Sequence, residues 1–346
     1  MNQYHVLAAL CASAAVAAWW ITGRMRQYAL ARSLIDEIGA RSSHATPTPR
    51  SGGVSVVVVG IVSFAVAVAL GFPGEWSMAL VVGGAAVALI GWIDDHGHLS
   101  PAVRLPVHFA AATWTVWWIG AVPLDFLGLD APVARIVAPV LSVFGVVWLI
   151  NLFNFKDGID GIAASEAVCV TVGAAILLWM QGYGAAEGAP LMMLASATLG
   201  FLWWNWPPAK IFMGDTSSGF LGFSLATFML IAGQLDGVLA FGVLILLGVF
   251  ISDATVTLLY RALRRERVHE AHRSHAYQYL ARRMGRHLPV TLLVIATNLV
   301  FLFPVAWLAT TGRLAVVTSL VLAYGLLAIV AVSLGAGRRE GCGLPV

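Results

Sequence analysis

The chain has 346 residues, of which 60% are hydrophobic and only 11% are charged, and its formal net charge is +3. A soluble domain carries about 25% charged residues, so this composition excludes an ordinary water-soluble fold. Each helix that crosses a bilayer needs roughly 20 apolar residues, and continuous stretches of that length follow one another almost from end to end, which also excludes a β-barrel of short alternating strands.

Taken in chain order, these stretches predict an all-α integral membrane protein, a polytopic bundle of about 11 transmembrane helices. The predicted spans are 4–22, 54–72, 76–93, 105–121, 133–151, 162–180, 189–206, 216–234, 237–260, 289–310 and 314–334. If the N-terminus is outside, all of the 20 Lys and Arg residues except Arg135 and Arg313 fall on the cytoplasmic side. The C-terminus is then cytoplasmic, and residues 1–346 form a single membrane-embedded domain.

The same topology places the polar connections of chemical interest on one side of the membrane. These cytoplasmic segments are 23–53, 94–104, 152–161, 205–216 and 261–288. Because they are far apart in sequence but share one membrane face, we expect them to build a common site.

The turn after the third span carries two adjacent acids, Asp94 and Asp95. Adjacent carboxylates repel each other, so the pair predicts a bound cation, a raised pKa or a backbone turn that separates the side chains. A solvated helix end is the alternative for an isolated pair. The other acidic loops on the same face favour a divalent-ion or general-base site.

The segment NLFNFKDGIDGIA, residues 151–163, is polar and rich in glycine against an apolar background. Its polar members are Asn151, Asn154, Lys156, Asp157 and Asp160. Glycines let backbone N–H groups approach an anion or nucleotide closely, and two acids three residues apart can share one side of a turn. Because Asp-Gly is a common turn dipeptide, a structural helix-to-helix turn is the alternative. The combination favours a binding site.

The sequence NWPPAKIFMGDTSSG, residues 205–219, ends the seventh span at Pro207 and Pro208 and opens the eighth. Asp215 or Thr216 as a helix N-cap is the structural interpretation. A helix N-terminus also offers free N–H groups to phosphate, and a carboxylate beside it is suited to a magnesium ion that bridges the phosphate.

Within the basic segment 261–288, the stretch from residue 268 to 283 contains three histidines, His269, His272 and His275, among arginines such as Arg273. No cysteine accompanies the histidines, and the arginines oppose a bound cation, so zinc is disfavoured. The pattern favours a phosphate-binding loop. Anchoring to anionic lipid is the alternative for the outlying arginines.

Two further features leave their roles open. Arg50 lies in a loop with Thr-Pro-Thr-Pro, which enforces an extended path, and this loop is either part of the site or a juxtamembrane linker. Asp253 lies inside the ninth predicted span, on the order of 10 Å deep at 1.5 Å per residue. It either hydrogen-bonds a neighbouring helix or supports catalysis.

At these residues the sequence resembles the polyprenyl-phosphate N-acetylhexosamine-1-phosphate transferases, glycosyltransferase family 4. That family includes the bacterial phospho-MurNAc-pentapeptide translocase and the enzymes that initiate O-antigen and enterobacterial common antigen. The likeness covers nearly the whole chain, through PTPRSGG, DD, NxxNFxDGIDG, FMGDTSS and the histidine loop. It implies a magnesium-dependent enzyme of the bacterial inner membrane that transfers a HexNAc 1-phosphate from UDP-HexNAc to undecaprenyl phosphate.

The resemblance also implies roles for individual residues. The implied catalytic residues are Asp94, Asp95, Asp157, Asp160 and Asp215. The implied ligands of magnesium, or of manganese, are Asp215, Asp157 and Asp160. The implied substrate-binding residues are Asn151, Asn154, Gly158, Ile159, Phe212, Arg50, His272, Arg273 and His275. A nucleic-acid partner is not expected, and a homodimer stays open.

Two departures from the translocase narrow the expected substrate. The translocase has a lysine three residues after its acidic pair, where this chain has His98, and its three consecutive histidines are absent. The pattern is closer to the O-antigen branch, whose donors are UDP-linked deoxy sugars such as FucNAc or QuiNAc, with GlcNAc also open. The alternatives are a phospho-MurNAc-pentapeptide transferase and a membrane transporter. One-step displacement and a covalent aspartyl intermediate are both chemically allowed.

Overall fold

A computed structural model describes residues 3–36, 47–97, 99–124, 131–266 and 273–338. Its first elements are α1 (Gln3–Ala31), β1 (Ile35–Asp36), β2 (Thr48–Pro49), α2 (Val54–Ala67), α3 (Gly74–Gly97), α4 (Pro101–Ile119) and α5 (Ala131–Lys156). There follow α6 (Ile162–Met180), α7 (Ala185–Asn205), α8 (Asp215–Leu235), α9 (Gly237–Leu246), α10 (Gly248–Leu263), α11 (Ala276–Met284), α12 (Leu288–Thr297), α13 (Phe303–Thr310) and α14 (Val316–Ser333). A 3-10 turn (Val68–Leu70) extends α2, and a π-helical segment (Asn298–Leu302) joins α12 to α13.

Within the described ranges, eight helical segments are long and apolar enough to cross a membrane. They are α1, α3, α5, α6, α7, α8, the run from α12 to α13, and α14. The pair α9 and α10 meets the same criterion as one broken span, whereas α2 with its 3-10 turn is shorter. The fourth predicted span, 105–121, overlaps α4 up to Ile119, so every predicted segment is mostly helical. The all-helical, multi-pass membrane architecture is confirmed, and the number of eleven spans, the orientation of the termini and the single domain stay predictions.

The ninth predicted span, 237–260, is a broken helix in the structure and not a continuous one. The chain breaks between Leu246 and Gly248, and the two halves are bent by 68°. Glycine is a poor helix former and a frequent site of sharp kinks, which accounts for the break at this position. The first span is also longer than predicted, because α1 continues to Ala31.

The centre of the bundle is α8, which packs against α3, α5 and α9. Nearly every residue in its first four turns is buried. At its middle, the ring of Phe64 from α2 stacks on Phe220 at a centroid distance of 6.0 Å and meets Phe228 edge-on at 5.7 Å. Aromatic contacts of this kind add to the stabilisation from burial of apolar area.

The close approach of α3 to α8 depends on Gly91. A Cβ atom at this position would lie 2.5 Å from the carbonyl oxygen of Asp215, so the backbones could not approach as they do. This contact brings the end of α3, with Asp94 and Asp95, beside the first turn of α8.

Candidate active site

A cavity of about 360 Å³ opens at one end of the bundle. Its lining residues are Asp36, Arg50, Asp95, Asp157, Gly158, Ile159, Asp160, Asn205, Phe212, Gly214, Asp215, Gln278 and His287. Each of the five segments that were predicted to share one membrane face contributes to this lining. Their convergence on one cavity agrees with the expectation of a common site.

The N-terminal loop reaches the cavity through short backbone pairings. β1 pairs antiparallel with β2, with Ile35 opposite Pro49, in agreement with the predicted extended path at Thr48–Pro49. The Phe212 N–H donates to the Pro49 carbonyl at 2.8 Å, and the Gly52 N–H donates to the Phe212 carbonyl at 2.8 Å. These bonds fix Arg50 and Phe212 in adjacent positions on the cavity wall.

Asp94 is held by two donors beside the cavity. Its carboxylate accepts hydrogen bonds from the Leu99 N–H and from Nη1 of Arg104. The same Arg104 nitrogen lies 3.0 Å from Oδ2 of Asp215, so one guanidinium joins two acids that are 121 positions apart. Asp94 is 7% exposed and does not line the cavity. Its contacts make it a support for Arg104 and Asp215.

Asp95 caps the N-terminus of α8 from another helix. Its carboxylate accepts hydrogen bonds from the N–H groups of Asp215 at 2.9 Å and Thr216 at 3.2 Å, and from the Thr216 hydroxyl at 2.6 Å. The residue at the N-cap position is Gly214, which has no side chain to donate or accept. The interpretation of Asp215 or Thr216 as the N-cap is therefore wrong, because Asp95 supplies the capping oxygens.

Asp157 differs from the other acids because its carboxylate is not engaged. It is half-buried at the cavity wall, and no residue of the described chain donates a hydrogen bond to it or forms an ion pair with it. Burial, together with the negative charges of Asp215, Asp95 and Asp160, raises the pKa of the Asp157 carboxyl well above its usual range. A carboxylate in this environment gains most from a bound cation.

Asp160 also lines the cavity and holds the surrounding loops together. One of its oxygens accepts the Ala209 N–H at 3.1 Å, and the other lies 3.1 Å from Nδ1 of His287. Its backbone carbonyl accepts the hydroxyl of Thr291 at 2.9 Å. Asp160 is 9% exposed, so it contributes less free carboxylate surface to the cavity than Asp157 does.

The two predicted asparagines lie beneath the cavity rather than in its wall. Asn154 accepts a hydrogen bond from the hydroxyl of Ser218 in α8. The amide nitrogen of Asn151 donates to the Val147 carbonyl at 2.8 Å and lies 3.5 Å from Nδ1 of His108. These contacts tie α5 to α8 and α4, and direct substrate binding by either asparagine stays a prediction.

Of the other predicted substrate-binding residues, Gly158, Ile159, Phe212 and Arg50 line the cavity. Nε of Arg50 is buried and has no hydrogen-bond partner within the described ranges. A buried guanidinium nitrogen at the edge of an acidic cavity is suited to an anionic group of a substrate.

The histidine segment is described only in part. His272 lies outside the described residues, as does His98. Arg273 is half-buried, and its carbonyl accepts a hydrogen bond from Arg282. His275 is 2% exposed, does not line the cavity, and has Nδ1 at 3.8 Å from Oδ1 of Asp253. Burial lowers the pKa of this imidazole, and direct phosphate binding by His275 stays a prediction.

Five residues of the site or its support were not singled out from the sequence. They are Asp36, Arg104, Asn205, Gln278 and His287. Asn205 accepts the Gly161 N–H at 3.0 Å and donates to the Ile211 carbonyl at 3.0 Å, so it joins the two loops that carry Asp157 and Asp215. The signal for Asn205 and Arg104 was their position in cytoplasmic segments, next to Trp-Pro-Pro and after the acidic pair.

The donor set of the cavity fits a hard divalent cation. Carboxylate oxygens are the ligands that magnesium prefers, and both Asp157 and Asp215 face the cavity with charges that interact. In the part of the chain that the structure describes, no three His, Cys, Asp or Glu side chains already surround a common point as a formed metal site would. A cation held mainly by two aspartates and by substrate phosphates agrees with both observations.

Known sequences match this chain over the region that contains the site acids. The profile described as glycosyl transferase family 4 matches residues 77–233. A probable undecaprenyl-phosphate N-acetylglucosaminyl 1-phosphate transferase of Bacillus subtilis is 32% identical over 268 residues, which cover 75% of this chain and 73% of the relative. The chain belongs to glycosyl transferase family 4. The resemblance drawn from the motifs is thereby confirmed.

Two further relatives of this family 4 transferase are named for different activities but have similar sequence identity to it. A phospho-N-acetylmuramoyl-pentapeptide-transferase of Synechococcus elongatus is 32% identical over 264 residues, 71% of this chain and 69% of the relative. A decaprenyl-phosphate N-acetylglucosaminephosphotransferase of Mycobacterium tuberculosis is 31% identical over 243 residues, 64% of this chain and 59% of the relative.

The family profile covers Asp94, Asp95, Asp157, Asp160, Asp215 and Arg104, which all lie between residues 77 and 233. Asp36, Arg50, Gln278 and His287 line the cavity but lie outside the matched range. The family description therefore covers the acids of the cavity wall except Asp36, and the flanking segments complete the wall.

Proposed function

We propose that this family 4 transferase moves a HexNAc 1-phosphate from a UDP-HexNAc donor to undecaprenyl phosphate, with magnesium, at the cytoplasmic face of the bacterial inner membrane. The products are polyprenyl-diphosphate-HexNAc and UMP, and the reaction starts a cell-envelope glycan such as O-antigen. The observation that carries this proposal is the convergence of Asp157, Asp215 and Arg50 on one cavity at the end of a membrane bundle. The activities for which the relatives are named support the same chemistry.

The reaction needs an environment that offsets the charge of two phosphate-bearing substrates. An oxygen of the polyprenyl phosphate forms a bond to the phosphorus that carries the sugar, and the bond from that phosphorus to the UMP oxygen breaks. No proton has to be removed from an acceptor phosphate that is already ionised. The protein therefore has to hold and align the two substrates and stabilise the charge on UMP.

The contacts of each acid separate their roles. Asp157 and Asp215 would hold the magnesium ion, which when bound supplies charge neutralisation for the diphosphate. Asp95 uses its oxygens to cap α8, so it positions Asp215. Asp160 and Asn205 hold the loop around Asp157 in place.

The basic residues suit the phosphates and the nucleotide. Arg50 has a buried nitrogen that no described residue bonds, and it lies beside Phe212, which we place next to the uracil. Arg104 lies between Asp94 and Asp215 and is 23% exposed in its side chain, so it can donate to a phosphate that approaches the same acids. We assign the histidine segment to the donor phosphates.

Donor identity is the first thing to test. Purified protein in detergent with magnesium and undecaprenyl phosphate would be given UDP-GlcNAc, UDP-FucNAc, UDP-QuiNAc and UDP-MurNAc-pentapeptide in separate reactions. We expect release of UMP and a lipid-linked deoxy-HexNAc diphosphate by mass spectrometry, with GlcNAc as the second choice. Asp157→Asn protein and addition of EDTA are the controls, and both should give no product.

One specific observation favours the second candidate, transfer of phospho-MurNAc-pentapeptide. A transferase with that name in Synechococcus elongatus has the same 32% identity as the Bacillus relative. His98 in place of a lysine disfavours it. A product from UDP-MurNAc-pentapeptide alone would establish this candidate, whereas the absence of product with all four donors would contradict transferase activity on these substrates.

A further inference from the structure

A buried ion pair lies directly behind the candidate active site. Lys156 is the last residue of α5 and Asp253 is in the second turn of α10, and Nζ of Lys156 contacts Oδ2 of Asp253. Their side chains are 1% and 7% exposed. The ammonium also lies 4.4 Å from the ring centroid of Tyr277 and 5.3 Å from that of Phe250. Lys156 immediately precedes Asp157, so this pair is one residue from the free carboxylate of the cavity.

Asp253 also binds the start of α11. Its Oδ1 accepts the Ala276 N–H at 2.8 Å, and its Oδ2 lies 3.5 Å from the Tyr277 N–H. These N–H groups are in the first turn of α11, where no intrahelical partner is available. Asp253 therefore joins the charge of Lys156 on α5 to the N-terminus of α11. Of the two roles that the sequence left open for Asp253, the structure shows bonding to neighbouring helices.

The other side of α11 touches the cavity. The Tyr277 hydroxyl donates to the Phe155 carbonyl at 3.2 Å, and Gln278 is part of the cavity wall. A Cβ atom on Gly158 would lie 2.2 Å from the Tyr277 oxygen, so α11 rests on the turn that carries Asp157. The position of this helix and the shape of the cavity wall at Gly158 are therefore linked through Tyr277.

Stability alone does not explain the pair. Moving two charges out of water costs several kcal/mol per ion, and well-packed apolar residues are often equally stable or more so. What an apolar pair could not supply is an acceptor for the N–H groups of Ala276 and Tyr277. The geometry favours a positioning role.

We propose that Lys156 and Asp253 are positioning residues that hold α11 against the Gly158 turn and thereby set the affinity for the nucleotide-sugar donor. The kinetic part rests on the proposed function, whereas the placement of α11 can be measured without turnover. The acceptor lipid should be affected less, because α11 belongs to the histidine segment that we assign to the donor phosphates, and it reaches the cavity wall through Gln278.

The test compares Lys156→Met, Asp253→Asn and the double variant Lys156→Met/Asp253→Leu with Lys156→Arg, which keeps the charge. Each single loss should raise the donor KM about tenfold, which is the effect of one charge-assisted hydrogen bond, and change the acceptor KM less than about twofold. The double variant, which has no unpaired buried charge, should recover thermal stability but keep the high donor KM. Lys156→Arg should retain most of the donor affinity of the wild type.

Hydrogen exchange tests the placement of α11 without any measurement of activity. In the single and double variants the amides of 276–284 should exchange faster than in the wild type, while those of α8 stay protected. Phe64→Leu is the stability control, since it removes buried contacts with Phe220 and Phe228 but touches no part of α11. It should lower the melting temperature and leave the donor KM and the α11 amides unchanged.

Three outcomes would overturn the positioning role: unchanged α11 exchange in the variants, equal changes in both KM values, or a double variant with wild-type donor KM. If the wild type turns over none of the four UDP-sugars, the proposed function fails. The exchange data would still decide whether Lys156 and Asp253 hold α11.

Discussion

Asp95 and Asp215 meet across 120 positions of sequence, and the carboxylate of the first accepts the backbone N–H of the second at 2.9 Å. This bond fixes the N-terminus of α8 against the end of α3. It also explains why two neighbouring acids, Asp94 and Asp95, have different roles. Asp95 binds the α8 backbone, whereas Asp94 binds Arg104.

Loss of this cap should destabilise the protein and disturb the site together. Asp95→Ala removes an acceptor for two helix N–H groups, so we expect unfolding to become easier by about 1–2 kcal/mol and activity to fall. Thermal melts in detergent and UMP release would measure both. Asp236→Ala is the matched control, because Asp236 caps α9 by accepting the Val238 N–H at 2.9 Å away from the cavity. Similar activity losses in both variants would contradict a specific role for Asp95.

Asp157 should control both the pH dependence of stability and the response to magnesium. Burial and nearby acids raise the pKa of Asp157 in the folded protein above its unfolded value. The folded state then binds more protons than the unfolded state between these two pKa values, so without a cation stability falls as pH rises through that window. Asp157→Asn should flatten this dependence in EDTA, abolish activity, and lose the stabilisation that we expect magnesium to give the wild type.

Thermal melts between about pH 4 and pH 8, with EDTA or with magnesium, would test this, because the unfolded Asp pKa is near 3.9. Asp160→Asn is the comparison. Its carboxylate is engaged by Ala209 and His287, so we expect that variant to lose stability at every pH. A wild-type protein whose stability rises with pH in EDTA would contradict the interpretation.

The segments that form the site could be predicted from the sequence, but many of their contacts could not. Glycine-flanked acids in an apolar chain indicated Asp157 and Asp215, and charge bias grouped the loops. Arg104 was indicated only by its position in a cytoplasmic segment after the acidic pair, because its two partners come from different helices. His275 fitted a phosphate-binding pattern, yet the fold places it beside Asp253. Asp253 lies inside a predicted span, and nothing in the sequence pairs it with a histidine from a loop. Pairings across about a hundred positions, such as Lys156 with Asp253 and Arg104 with Asp215, require the packing of α4, α5, α8 and α10 to be known.

Arg104 should be needed for the arrangement of its two acids. Arg104→Gln leaves Asp94 and Asp215 close together without a cation, so we expect activity to fall by about a hundredfold and the need for magnesium to increase. Arg104→Lys should keep only part of the activity: the ammonium retains the positive charge, but it cannot present the guanidinium geometry. Titration of UMP release against magnesium measures both effects. An Arg104→Gln enzyme with wild-type activity would show that the bridge between the acids is dispensable.

The contact between Gly158 and Tyr277 permits a test by compensation. Gly158→Ala places a Cβ atom 2.2 Å from the Tyr277 oxygen and 3.2 Å from its ring carbon, so α11 or the Asp157 turn must shift. We expect donor affinity to fall by about tenfold or more, as overpacking of a tight contact costs roughly 1–3 kcal/mol. Tyr277→Phe removes the hydroxyl and leaves the ring, and by itself it should have a smaller effect, from loss of the bond to Phe155. In the double variant Gly158→Ala/Tyr277→Phe the closest clash is gone, so donor affinity should exceed that of Gly158→Ala alone. If the two losses instead simply add, the Cβ atom acts through the backbone of the turn, and the contact with α11 does not set donor affinity.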